Sequence, residues 1–157
     1  LFNPAILRQI VSYPPNSLEN SPAPPQDFDM DEAMTFEVMG VEGITRLTAA
    51  FYQRVRQDDL IGPMYPSDDW EGSEERLRDF LLFRIGGIPR YMETRGHPRL
   101  RMRHIPFTIG EKERDRWLEL MAAAMDDAEV PVEARLWLEP FFQQVADFMR
   151  NQPDNPA

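Results

Sequence analysis

Apolar positions recur at spacings of three and four along most of the chain from about residue 41. In GITRLTAAFYQRVRQD, Ile44, Leu47, Phe51 and Val55 fall on one face, with Thr48 beside them, which predicts an amphipathic helix. SEERLRDFLLFRIGG repeats the pattern with Leu77, Phe80, Leu81 and Ile85; Ser73 is a candidate cap, and Gly86 and Gly87 are stop signals. GEKERDRWLELMAAAMDDA predicts a third helix with Trp117, Leu120, Met121 and Ala124 in register. VEARLWLEPFFQQVADFMRN predicts a fourth, turning Leu138, Phe141, Phe142, Val145 and Phe148–Met149 inward. Pro140 is expected to bend that helix or delay its start, because it lacks an N–H and crowds the preceding turn. No segment alternates at period two, so the expected fold class is all-α.

Between these helices the pattern breaks. DDLIGPMYPSDDWEG reads as turns around Gly62, Pro63 and Pro66. Residues 88–110 read as a connector holding at most a short helix near Leu100–His104. A connector of that length inside a helical domain is expected to cover something. Residues 1–35, including YPPNSLENSPAPPQDF, read as a proline-rich extension, and 36–152 as the folded domain. Phe2, Ile6, Leu7, Ile10 and Val11 give that extension some apolar character.

Composition narrows the function classes. With 157 residues the chain suits one domain with a real core. Its net charge of −10 argues against a nucleic-acid partner, since neutralising phosphates requires a dominant basic surface. Cysteine is absent, which removes disulfides, thiolate metal sites and cysteine nucleophiles, and fits a reducing cytoplasm. No apolar run approaches the roughly 20 residues that span a bilayer, and LFNPAIL lacks the form of a secretory signal. A cytoplasmic protein without a membrane association is the expectation.

Against that acidic background, GHPRLRMRHIPF holds both histidines, and Arg95, Arg99, Arg101 and Arg103 lie in or beside it. Tyr52, Tyr65 and Trp117 add polar donors to otherwise apolar surroundings, and such donors require partners when buried. One imidazole, several convergent donors and an arginine cluster suit a haem: the imidazole on iron, the donors at its gas ligand, the arginines at its propionates. The competing reading is a cofactor-free helical interaction module, with core aromatics and a proline-rich arm as a partner ligand. No Ser–His–Asp arrangement, glycine-rich phosphate loop or metal-spaced carboxylate set is present.

FYQRV, MYPSDDWEGSEERLRDFL, GGIPRYMETRGHPRLRMRHIPF and ERDRWLELM resemble, in order and spacing, the group II truncated haemoglobins. The resemblance covers roughly residues 40–150, and GHP-x-L-x-x-RH-x-PF is its most specific block. It implies a two-over-two helical sandwich and haem b as cofactor. His104 matches the ligand to iron; His97 matches a second histidine that is not a ligand. Tyr52, Tyr65 and Trp117 match donors to a bound gas, and Ser73 marks a path into the pocket. Leu77 and Phe80 match apolar pocket walls, while Arg103, Arg101 and Tyr91 match the propionate side. The resemblance further implies reversible O2 binding at a pentacoordinate iron with slow release. NO dioxygenase or peroxidase-like chemistry, CO as an alternative ligand, an unidentified reductase, and a monomer or homodimer complete the expectation. Two departures stand out: FRIGG replaces the commoner YWGG, and Ile88 intervenes before Pro89. Both bear on the loop leading to His104.

Overall fold

The computed structural model describes residues 31–153. Of the extension read over residues 1–35, residues 1–30 lie outside them. Six α-helices follow in order among the described residues: α1 (Glu32–Val55), α2 (Trp70–Gly86), α3 (Arg90–Arg95), α4 (Leu100–His104), α5 (Glu111–Asp127) and α6 (Val132–Met149). A single 3₁₀ turn, Gly62–Met64, lies between α1 and α2. No strand occurs among the described residues. The four long helices form the body: α1 packs on α2, α5 and α6, and α5 packs on α6. The two short helices attach at one side, α3 to α2 and α4 to α6.

Helix α1 buries the stripe read from its periodicity. Ile44, Leu47, Phe51 and Val55 are all fully buried, worth about 1.5–3 kcal/mol each by area. The buried Thr48 hydroxyl donates to the carbonyls of Ile44 and Thr45, which satisfies it inside the core. The helix begins at Glu32, nine residues ahead of the position that periodicity suggested. The Asp31 carboxylate accepts from the Met34 N–H at 2.8 Å and caps it. Gly40, at φ 62°, kinks the helix between its two halves, a conformation open to glycine at little cost. That kink breaks the register and hides the first half from a periodicity count.

Helix α2 also starts early. Asp69, not Ser73, is its cap, accepting from the Gly72 N–H. Ser73 is instead buried within the first turn, and its oxygen accepts from Arg76 at 2.8 Å. A carboxylate one turn upstream takes the capping role and frees the serine. The helix stops at the predicted glycines: Gly87 adopts the left-handed conformation, φ 66°. The Ile88 N–H donates to the Leu82 carbonyl at 3.1 Å and closes the turn, so the inserted Ile88 belongs to the helix stop.

Helix α6 begins at Val132 and runs through Pro140, so the proline does not delay its start. Pro140 and Leu136 are both exposed; the carbonyl that Pro140 leaves without a helical donor therefore faces water. Leu138, Phe141, Phe142, Val145 and Met149 are buried, and Phe148 is half-buried. The connector over 88–110 holds one helix more than expected, α3, tied down through the buried Tyr91.

Candidate functional site

A cavity of about 420 Å³ opens between the helices, within the roughly 300–1,000 Å³ range of small-molecule and cofactor sites. Its walls come from α1, α2, α3, α4, α5, α6 and the turn after α1. Of the residues singled out in the sequence, Tyr52, Tyr65, Ser73, Leu77, Phe80, Tyr91, Arg103, His104 and Trp117 all line it. Arg101 does not. Its guanidinium reaches the other way, donating to the Phe148 carbonyl at 3.1 Å and lying over the Phe148 ring. Arg101 and Arg103 are two residues apart on a helix, so they cannot share a face.

One wall carries His104. Its Nδ1 lies 2.6 Å from the Leu100 carbonyl, one turn back on α4. A carbonyl only accepts, so Nδ1 carries the proton and Nε2 keeps its lone pair for the cavity. Burial holds the imidazole pKa below its ordinary 6.5, partly offset by the Leu100 bond. The ring is therefore neutral, the form that ligates a metal. The backbone leading in is constrained: Pro98 is fully buried and Arg99 sits at φ 42°, at a cost of about 1–3 kcal/mol. His97 is exposed and lines no part of the cavity.

Asn151 fastens this wall from beyond α6. Its amide donates to the carbonyls of His104 (3.2 Å) and Phe107 (2.6 Å) and accepts from the Ile109 N–H (3.0 Å). Nothing in the local sequence announces that role, because the partners lie 42 to 47 residues away.

The aromatic wall stands on α1, α5 and the turn after α1. Tyr52 and Tyr65 meet edge to face at 5.5 Å. The Tyr52 hydroxyl and the Trp117 indole N–H lie near enough to Tyr65 to ease its phenol pKa down against burial. Burial pushes the Tyr65 phenol up to about 12 and the Tyr52 phenol well above its ordinary value. Both stay protonated across any physiological pH. Trp117 is packed between Phe51 (5.1 Å) and Phe142 (5.6 Å), which fixes its direction.

Three charged residues line the cavity that the sequence left unassigned. Arg76 is held by Asp69 at 2.8 Å and by Ser73. Arg114 pairs with Asp147 and Asp115, and Glu113 accepts from the Gly110 N–H at 2.9 Å. Arg76 follows Ser73 by one turn, the only local signal that would have found it.

Among the described residues, no group of three or more His, Asp or Glu side chains could hold a bare metal ion. A lone imidazole on a largely apolar cavity instead fits a metal that arrives with its own ring of donors, as haem iron does. The unprotonated Nε2 and the cationic Arg103 and Arg76 at the walls meet the same requirement. No helix among the described residues is long and apolar enough to cross a membrane.

Comparison with known proteins agrees with that geometry. The family model described as a bacterial-like globin matches residues 34–151. The Group 2 truncated hemoglobin YjbI of Bacillus subtilis (strain 168) is 38% identical over 119 residues, covering 76% of this chain and 89% of that protein. Among solved structures, a thermostable haemoglobin of the actinobacterium Thermobifida fusca is similar at 46% identity and TM-score 0.72, covering 76% of this chain and 98% of that one. A truncated oxygen-avid haemoglobin of Bacillus subtilis is similar at 36% identity and TM-score 0.71, covering 74% and 98%.

Proposed function

Because the chain belongs to the bacterial-like globins, and within them to the group II truncated haemoglobins, we propose that it is a haem protein that binds O2 reversibly and releases it slowly. The observation that carries this reading is the opposition of two chemistries across one cavity: an unprotonated His104 Nε2 on one side, and a cluster of tyrosine and tryptophan donors on the other. Haem would supply an iron atom able to bind a diatomic gas reversibly. His104 would hold that iron through its unprotonated Nε2. Leu77, Phe80 and Tyr91 provide the apolar and aromatic walls that exclude water, and Arg103 neutralises carboxylates at the rim. Arg76 serves the same purpose from α2.

The aromatic wall sets the release rate. Tyr52, Tyr65 and Trp117 all line the cavity, and their two O–H groups and indole N–H are the donors offered to a guest. Hydrogen bonds to a charge-bearing acceptor are worth about 1.5–3 kcal/mol each. O2, the more polarised guest, gains more from them than CO does. Ser73 is small and buried beside the cavity, which leaves the way in unobstructed. The oxygen-avid relative from Bacillus subtilis supports the slow-release reading. A cofactor-free interaction module has no use for such a cavity, since a helical core closes on itself when nothing is to be held.

Redox turnover of NO or peroxide is a second reading, favoured by the oxidisable side chains gathered at the aromatic wall. It requires a reductase from outside the chain. The deciding experiment is to load the purified protein with haem, confirm the Soret band, and follow O2 release from the ferrous form by stopped flow. Slow O2 release that speeds up in Trp117→Phe supports the proposal; release as fast in the wild type as in the variant refutes it.

A further inference from the structure

Trp70 has no part in the cavity, yet it is stacked on a residue that does. Its ring lies 5.8 Å from that of Tyr65, with 26° between the planes. It is the first residue of α2, half-buried, and absent from the cavity wall. Tyr65 is thus bordered on its outward side by an indole that reaches the surface. The other aromatics of the wall differ: Tyr52 is buried, and Trp117, though half-buried, is itself part of the cavity lining and is flanked by Phe51 and Phe142. Phenylalanine resists one-electron oxidation, whereas tyrosine and tryptophan undergo it most readily of the side chains. The Tyr65–Trp70 pair is therefore the conductive path outward among the described residues.

We propose that Trp70 is a surface oxidation site, at which a phenolic donor too large for the cavity is oxidised at the expense of hydrogen peroxide reduced inside it. The proposal rests on the haem reading of the cavity. Hydrogen peroxide accepts two electrons and two protons and leaves as two waters. Tyr65 supplies one electron and its phenolic proton to that reduction. Trp70 returns an electron across the stack, Tyr65 regains a proton from water, and the Trp70 indole N–H releases its proton to solvent. A phenol over Trp70 then gives up its O–H hydrogen and leaves as a phenoxyl radical, restoring the indole. Two such passes consume one peroxide and two phenols and yield two waters and two phenoxyl radicals.

The surroundings of Trp70 suit a neutral radical. The Arg56 guanidinium lies 5.5 Å from its ring centre. A cation there is attracted to the intact ring but opposes positive charge on an oxidised one, so the oxidised indole sheds its N–H proton. Partial exposure gives that proton, and the donor phenol, access to solvent.

The test uses the haem-loaded full chain, mixed with hydrogen peroxide and a nitroso spin trap, with adducts mapped by peptide mass spectrometry. Turnover of a bulky phenol is measured alongside. The wild type should carry the adduct on Trp70. Trp70→Phe should lose it and lose most phenol turnover while its Soret band stays unchanged, and Trp70→Tyr should restore turnover. A loaded wild type whose adducts lie elsewhere, or a Trp70→Phe variant that oxidises the phenol as fast, overturns the relay alone. A chain that shows no Soret band after haem addition overturns the relay and the haem reading together.

Discussion

The two walls of the cavity are built by different means. The aromatic wall sits on long helices whose inner faces are fully buried, so Tyr52 and Trp117 are held by packing around Phe51 and Phe142. The histidine wall rests on α4, five residues long with none buried, and its neighbours Met102, Ile105 and Phe107 are exposed. Packing cannot hold such a segment. Hydrogen bonds hold it instead: Asn151 to the His104 and Phe107 carbonyls, and Arg101 to the Phe148 carbonyl. Arg101 thus helps dock α4 on α6 while standing outside the cavity. A packed wall is stiff and suits fixed hydrogen-bond donors; a tethered wall can adjust when a large planar cofactor is seated.

That contrast can be broken first at His104. His104→Ala should abolish coordination of haem by the protein, seen as a changed ferrous absorption spectrum of the haem-loaded chain, while the haem-free chain keeps its helical circular dichroism. An unaltered coordination spectrum would remove the basis for the whole assignment.

On the opposite wall, Trp117→Phe keeps an aromatic ring between Phe51 and Phe142 and deletes the indole N–H donor. O2 release should accelerate by about ten- to a hundredfold, the equivalent of a 1.5–3 kcal/mol hydrogen bond, with haem retention unaffected. Stopped-flow release and haem transfer to an acceptor globin, measured side by side, separate the two walls.

A smaller effect is expected at the tether. Asn151→Ala removes three bonds at a partly exposed position, which should lower stability by about 1–2 kcal/mol and hasten haem loss without altering O2 release. Thermal melts and haem-transfer rates provide the check; a change in O2 release with none in haem loss would contradict the tethering role.

The smallest effect concerns alkali. The Tyr65 phenol is raised from 10.0 to about 12 in the folded chain, so the unfolded chain releases its proton first as pH rises. Stability that is full below pH 10 should decline between pH 10 and about 12. Absorbance at 295 nm should show ionisation of this tyrosine delayed past that of an ordinary one, and Tyr65→Phe should shrink the delayed phase, leaving the part that belongs to the buried Tyr52.

Much of this was legible in the residues. Three-and-four spacing revealed the buried faces of α1, α2, α5 and α6, and Gly86–Gly87 marked the end of α2, because these features depend on neighbours within a turn or two. The first half of α1 was missed since Gly40 shifts the phase of its pattern. The Asp69 cap was missed since Ser73 offered a plausible alternative four residues on. Helix α3 is too short to express a period. Nine of the ten singled-out side chains line the cavity, largely because the block around His104 is so specific.

By itself, then, the chain's order of residues determined the helical class, the buried register of α2, α5, α6 and the second half of α1, and a pair of histidines set among arginines in an irregular segment. These are local properties, written into hydrogen-bonding range along the backbone. Docking of the helices decided the rest: Arg101 turned outward while Arg76 and Arg114 line the cavity, Asn151 reached back across more than forty residues, and Trp70 came to lie against Tyr65. Such contacts depend on the angle and depth at which helices pack, a sum of many weak interactions over the whole core that no short stretch of sequence contains.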